Sequence, residues 1–409
     1  MLIRGSEAAW STKAVRAVSI LLCMALAGVL VWEWWLVLGT RHSVGDFAWF
    51  YAVSRYVVGH GPGSLAHIYA YRVQVDALRP LGLAPAPGAA LAPFVNPPTA
   101  LLPMLPISLL PLPTAYAVWT TASFAGFVGA LTWLSGTSRL LGPRGVILLA
   151  CATSFPVFIN LAEGDLDLLV AVGVAVTVKA AQGSWRPGSV VGAALVSTKP
   201  QTLLLWLVPA IRNLGSRLVQ DGLGTLMFLS IASGAVFGPV GVEQMIRRVT
   251  SVPEVPSEHV TLVALFTTLL GHDMWANGLA VIVFVALAMG AWLMWSRYPP
   301  ETQPEYGYMA AAVTCASVAA APYDLIQGLA VLAVPAVLVA ADRSRQGLSL
   351  KPVFVAVAAV DACSLGGFAG YMPLSLTSIC LLLLAAAAAT AWRREVCARA
   401  KSPSSSAAT

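Results

Sequence analysis

The chain has 409 residues, of which 58% are hydrophobic and only 10% charged, with a formal net charge of +6 and a mean hydropathy of +0.78. A soluble domain carries about 25% charged residues, so a soluble fold of this length would lack the polar surface to cover its core, and lipid must solvate most of it. The basic residues stand in short clusters between apolar runs, as membrane topology demands, which argues against a nucleic-acid partner. Six scattered cysteines with no CxxC spacing give neither a disulfide framework nor a metal site.

Arg4, Lys13 and Arg16 precede an apolar run over 17–38 that is long enough to span and has no small-residue cleavage site at its end. It is expected to be an uncleaved first span rather than a signal peptide. A first outer loop over 39–96 follows. Its aromatics, Trp49, Phe50, Tyr51 and Tyr56, suit a helix from Asp46 to Gly59 lying at the lipid headgroup level. His60-Gly61-Pro62-Gly63 breaks that helix, and a second amphipathic stretch runs over 64–81. Asn96-Pro97-Pro98 to Pro113 is apolar but too short and proline-rich to span, because proline removes hydrogen bonds that lipid cannot replace.

Further spans are expected at 114–137, 145–161, 166–182, 188–199, 202–211, 222–241, 275–296, 308–321, 323–341, 352–371 and 374–392, about 12 in all. The pair 188–199 and 202–211 reads as two half-length or tilted helices meeting at Lys199-Pro200-Gln201. A second outer loop covers 242–277. This all-α chain is expected to form one transmembrane domain over 1–400, with a disordered cytoplasmic tail at 401–409. With both ends in the cytoplasm, most of the 24 Lys and Arg residues fall on that side, and Asp46, Glu163, Asp165, Asp167 and Asp324 face outward.

Four places carry residues suited to chemistry. Asp46, just past the first span and beside aromatics, would be partly desolvated, and a raised pKa suits a general base. The plainer alternative is a helix N-cap. Lys199, between two apolar half-helices, is costly unless paired or functional, and a cation there could neutralise a phosphate leaving group. Glu163-Gly164-Asp165-Leu166-Asp167 could bind a sugar or a divalent cation, or simply cap the next helix. Tyr323-Asp324 opens a late span at the same face, where Asp324 could favour the helix dipole or line a cavity beside Asp46. Arg41, His42, Arg55 and His259 are further outer-face candidates. Asp361 and Glu33 lie in or near spans without an obvious partner. The absence of a Walker A loop, a GxGxxG in strand-turn-helix context, a GxSxG or a zinc spacing argues against nucleotide-driven pumps and nucleotide-sugar enzymes with a Rossmann-like domain.

The order of these motifs resembles the polyprenol-phosphate-mannose-dependent mannosyltransferases of glycosyltransferase family 87, in the membrane-embedded GT-C superfamily. Gly45-Asp46-Phe47 with Tyr51 follows the first span. Asn96-Pro97-Pro98-Thr99 stands where the family usually has Tyr-Pro-Pro, and Asn160 to Asp167 where it usually has a Gly-Gln loop. Lys199-Pro200-Gln201 closes a Gly/Ala/Leu-rich helix, and Ala321-Pro322-Tyr323-Asp324-Leu325 opens a late span. The resemblance implies a GT-C fold with extracytoplasmic juxtamembrane helices. It implies transfer of a sugar, typically mannose, from polyprenyl phosphate to a lipid-linked or extracytoplasmic glycan, with inversion and without a cofactor. Asp46 would be the base, and Lys199, Arg41 and Arg55 the donor phosphate contacts. Glu163, Asp165, Asp167, Gln201, Tyr323, Asp324 and His259 would line the substrate pocket. The rival expectations are a secondary transporter, which would show paired polar breaks in two related halves, and a non-catalytic subunit of glycolipid assembly.

Overall fold

The computed structural model describes residues 45–83, 94–136, 142–183, 185–251, 259–271, 274–296, 306–321, 325–370 and 373–401, with isolated positions between 17 and 35. Most of the first expected span, Arg41, His42, Tyr323, Asp324 and 402–409 lie outside the described residues. Every described element is helical, and no strand occurs among the described residues.

Helix α1 spans Gly45–His60 and stops at Gly61, whose left-handed φ of 78° lets its amide close on Val57 O. A 3-10 turn (Pro62–His67) and α2 (Tyr71–Leu78) follow. The Asn-Pro-Pro segment forms a 3-10 turn (Pro98–Leu101) and the single turn α3 (Met104–Ile107), too short to span, as the prolines require. Next come α4 (Leu112–Ser135), α5 (Pro143–Ala152), α6 (Phe155–Glu163), α7 (Asp167–Gly183) and α8 (Arg186–Val196). After Lys199 the chain makes a 3-10 turn (Pro200–Trp206) and a short α9 (Leu207–Arg212), then enters the long α10 (Arg217–Ser251). The rest is α11 (Leu262–Leu270), α12 (Met274–Ser296), α13 (Tyr306–Ala319), a 3-10 turn (Ile326–Leu332), α14 (Ala333–Arg345), α15 (Lys351–Phe368) and α16 (Thr377–Lys401).

Among the described residues, seven helical stretches are long and apolar enough to cross a membrane: Leu112–Ser135, Arg144–Glu163, Arg217–Arg247, Met274–Trp295, Ile326–Arg345, Lys351–Phe368 and Leu374–Arg394. The expected half-length pieces at 188–199 and 202–211 are present as α8, the turn at Lys199, the 3-10 turn and α9. Lipid offers no hydrogen bonds to such a break. The protein supplies them: the Leu205 amide donates to Ser317 Oγ at 3.1 Å and Trp206 Nε1 to Thr314 Oγ1 at 3.1 Å, both from α13. The spans form an inner and an outer layer. The window at Ile326–Arg345 is 89% buried, against 11% at Arg217–Arg247 and at Met274–Trp295.

Both segments expected as outer loops carry helices. The aromatic side chains of α1 pack into the protein: Phe47, Trp49, Phe50 and Tyr51 are buried among Phe94, Leu101, Met104, Tyr116, Trp119 and Leu166. So many aromatic faces are better removed from water by each other than by a headgroup layer. The loop expected at 242–277 is largely helical, because α10 continues to Ser251 and α11 occupies Leu262–Leu270. Among the described residues the buried apolar side chains form two clusters, one around α1 and one through the bundle from Phe127 to Trp392.

Asp361 finds its partner. It lies on α15 and accepts the Phe155 amide at 2.7 Å, capping α6 from another helix where the Thr153-Ser154-Phe155-Pro156 break separates α6 from α5. Asp361→Ala is expected to lower stability by about 0.5–2 kcal/mol, with Asp361→Asn retaining most of it. Thermal unfolding in detergent checks this, and equal melting temperatures for wild type and Asp361→Ala would contradict it.

Candidate active site

The site begins with a helical hairpin. Helices α7 and α8 pack closely because their contact is built on glycine: a Cβ at Gly173 would lie 2.9 Å from Gly192 O, and one at Gly192 would lie 2.1 Å from Thr177 Oγ1. An antiparallel pair this close sets the start of α7 beside the end of α8. Pro200 prevents α8 from continuing and disfavours the helical conformation at Lys199, which takes φ −148°, ψ 68°. Lys199 Nζ thereby reaches Asp165 Oδ2 at 2.9 Å and Asp167 Oδ2 at 2.7 Å. All three residues are buried, at 5%, 2% and 0% exposure. Where the sequence suggested a divalent cation among these carboxylates, an ammonium stands between two of them.

The acidic turn is held from its other side by α4. Tyr116 Oη donates to Leu161 O at 2.6 Å and to Ala162 O at 3.1 Å, and Trp119 Nε1 donates to Gly164 O at 2.8 Å. These carbonyls close the last turn of α6, where no further helical amide is available. Gly164, at φ +63°, turns the chain back so that the Asp165 amide reaches Asn160 O at 3.1 Å. Asp165 Oδ1 then accepts the Leu166 amide at 2.6 Å.

The N-terminus of α1 docks on this turn through two glycines. Gly45 has φ +48°, and a Cβ there would fall 1.7 Å from Glu163 Oε2. A Cβ at Gly164 would fall 2.6 Å from Phe47 Cβ. The Asp46 amide donates to the Glu163 carboxylate, a favourable pairing of an acid with the positive end of a helix. Asp46 is only half-buried and so is Glu163, while Asp165 and Asp167 are sealed. Leu166 belongs to the cluster around α1 while Leu161 and Leu168 belong to the bundle, so the acidic turn lies at the seam of the two cores.

Burial pushes the Asp46 carboxyl up from 3.8 to about 8, helped by the negative charge of Asp165 and Glu163, and the Lys199 charge offsets this only in part. Asp165 shifts the other way. Burial acts to raise it, but the Lys199 charge and hydrogen bonds with Asp167, Lys199 and the Leu166 amide hold it below the usual carboxylate range. The environment separates a partly buried carboxyl that takes a proton near neutrality from a sealed one that stays ionised. That separation marks acid-base sites.

The structure thus brings together Asp46, Glu163, Asp165, Asp167 and Lys199. Gln201, two residues past Lys199, is buried at the start of the 3-10 turn. Arg55 is not brought in. It is exposed, its guanidinium donates to Tyr51 Oη at 2.8 Å, and it lies nine residues along α1 from Asp46, about 13 Å up the axis on the opposite face. His259 is half-buried just ahead of α11. Arg41, Tyr323 and Asp324 are outside the described residues. Sequence reading missed Tyr116 and Trp119, whose spacing on one face of α4 was the available signal, and Thr99, whose Oγ1 donates to Ser197 O at 2.7 Å and ties the Asn-Pro-Pro segment to the Lys199 turn.

Beside this turn runs an apolar cavity of about 710 Å³ between α7, α8, α9 and α10. Pro97, Thr99 and Pro200 line the part next to the Lys199 turn, and Leu203, Trp206 and Phe237 line its length. The first half of α10 forms one wall and leaves Met227, Phe228 and Ile231 exposed on its other face. At Gly238-Pro239, with Gly238 at φ 64°, α10 kinks, and Gly241 packs on Ala66 of the outer loop.

A family model described as Glycosyltransferase family 87 matches residues 94–322, just over half of the chain. The matched part includes the Asn-Pro-Pro segment, the acidic turn and Lys199, and begins after Asp46. No curated protein and no solved structure matches the chain.

Gly45→Ala is expected to cost about 1–3 kcal/mol through left-handed strain and contact with Glu163. Gly63→Ala, where nothing lies within 4 Å of the added carbon, is expected to stay within about 0.5 kcal/mol of wild type. Thermal unfolding of the two variants checks the docking of α1, and equal losses would contradict it.

Proposed function

The chain belongs to glycosyltransferase family 87, and from that premise we propose that it moves a sugar, mannose in the first instance, from polyprenyl phosphate to a lipid-linked or extracytoplasmic glycan acceptor. As a membrane glycosyltransferase it needs a donor, an acceptor and a base. The observation that carries the reading is Asp46, a partly buried carboxylate at a helix N-terminus, pressed against a sealed acidic turn. Of the four clustered carboxylates, Asp46 combines access to a substrate with a proton affinity suited to a base.

In the proposed step the Asp46 carboxylate takes the proton of the acceptor hydroxyl. The acceptor oxygen bonds to the anomeric carbon on the face opposite the phosphate, and the carbon–oxygen bond to the phosphate breaks. The configuration inverts, Asp46 ends as the carboxylic acid, and polyprenyl phosphate departs carrying the additional negative charge. The phosphate needs no proton to leave, so one base suffices. Arg41, five residues before Asp46, is the proposed phosphate contact. Glu163, Gln201 and, beyond the described residues, Tyr323 and Asp324 are the proposed walls of the sugar and acceptor pocket.

The apolar cavity supports a lipid-borne donor. It runs between helices, its lining is hydrocarbon and aromatic, and it reaches the turn that carries Lys199. The basic clusters of the sequence support an extracytoplasmic active site in the cell membrane, with both termini in the cytoplasm.

Two outcomes test the reading. Asp46→Asn is expected to reduce transfer from polyprenyl-phosphate mannose by about 100-fold to 10,000-fold while leaving insertion and thermal stability intact. Full activity of Asp46→Asn would exclude the base assignment. The base must be deprotonated, so kcat/KM is expected to rise with pH through an acid limb near the Asp46 value of about 8. A rate that is flat between pH 6 and about 9 would contradict the titration of a base in this range.

A further inference from the structure

In sequence Lys199 stands as a cation for a lipid phosphate, but in the fold it serves carboxylates. Its Nζ bonds to Asp165 and Asp167 at 2.9 and 2.7 Å, and only 6% of its side chain is exposed. A phosphate could recruit it only by breaking one of these bonds and leaving a buried carboxylate unpaired, which is among the costliest polar defects in a protein interior.

We propose, resting on the reading of Asp46 as the base, that Lys199 is a positioning residue that touches no substrate: it clamps the Asp165–Asp167 turn and, through that turn, holds the N-terminus of α1 and the Asp46 carboxylate in place. The chain of contacts is continuous. Lys199 pins Asp165 and Asp167, and Asp165 Oδ1 fixes the Leu166 amide. The Asp165 amide closes on Asn160 O and keeps Gly164 in its left-handed turn. Gly164 then seats Phe47, and Glu163 accepts the Asp46 amide. Among the described residues, the charges that act on Asp46 are Asp165, Glu163 and Lys199. Lys199 therefore fixes both where the base sits and how much uncompensated negative charge it faces.

The two roles predict different kinetics. A phosphate contact lowers the donor KM, and removing it raises KM. A positioning residue acts on the reacting geometry, and removing it lowers kcat. They also differ in rescue. If Lys199 works only through its two carboxylates, neutralising them together with it removes the uncompensated charge and restores part of the turn, since asparagine oxygens still accept amide hydrogens. A lost phosphate contact gains nothing from those changes.

The experiment uses the full chain in lipid nanodiscs, with polyprenyl-phosphate mannose and a panel of lipid acceptors, and compares wild type, Asp46→Asn, Lys199→Met and the triple variant Lys199→Met, Asp165→Asn, Asp167→Asn. The expected result is a kcat for Lys199→Met lowered by about 100-fold with a donor KM within about threefold of wild type. The triple variant is expected to recover about tenfold of that loss. A preserved kcat with a donor KM raised about tenfold or more, or a triple variant no better than Lys199→Met, would overturn the proposal. Should Lys199→Met fail to insert, Lys199→Arg carries the test: a phosphate contact tolerates it, whereas the sealed clamp has no room for the larger fork and kcat falls. Transfer by wild type that persists undiminished in Asp46→Asn would sink the base assignment itself, whatever Lys199 does.

Discussion

Withdrawing an ammonium and two carboxylates from water costs several kcal/mol per ion. Lys199, Asp165 and Asp167 are tolerable in their buried position only while they hold one another. That requirement fixes the crossing of α7 and α8, the direction of the turn after α6, and the place where the α1 helix lands. Such a cluster contributes little net stability compared with a well-packed apolar core. What it contributes is a single register: if the turn slid by one residue, a charge would be stranded. The glycines at 45, 164, 173 and 192 let the backbones come close enough for the cluster to form.

The location of the cluster matters as much as its chemistry. It lies at the seam of two apolar clusters, one around α1 and one through the bundle. Asp361 caps α6 from α15, and Tyr116 and Trp119 hold its far end. The proposed base on α1 thus rests on a turn held from both sides, while the cavity along α10 has a kinked helix as one wall. An acidic turn tied down by hydrogen bonds, with an apolar cavity next to the neighbouring Lys199 turn, is the setting on which the proposed transfer rests.

Much of this was legible in the sequence, for physical reasons. Scarce charge forced the membrane reading. Pro200 forced the break at Lys199, and the Gly/Pro run after His60 ended α1 where expected. Asp46 stood out by its place beside aromatics after the first expected span, the acidic turn by three carboxylates in five residues, and Lys199 because charge among apolar residues is costly. What was not legible depends on tertiary pairing. Nothing local says that Lys199 faces carboxylates 32 and 34 residues earlier rather than a phosphate, because the pairing depends on two glycines setting the α7–α8 distance. The aromatics of α1 have the same composition whether they face headgroups or Tyr116 and Trp119, and only the folded chain selects the latter. Asp361 seemed partnerless because its partner is a backbone amide 206 residues away.

The account centres on Asp46 as the group that meets the acceptor at the anomeric carbon. A structure of the full chain with a carbon-linked, non-transferable polyprenyl phosphonate analogue of the mannose donor tests this most directly. The account predicts that the anomeric carbon lies at the mouth between Asp46 and Glu163, within one hydroxyl's reach of the Asp46 carboxylate, with the prenyl chain in the groove along α10. A donor whose sugar lies on the far side of the bundle, with Asp46 facing only protein, would contradict it.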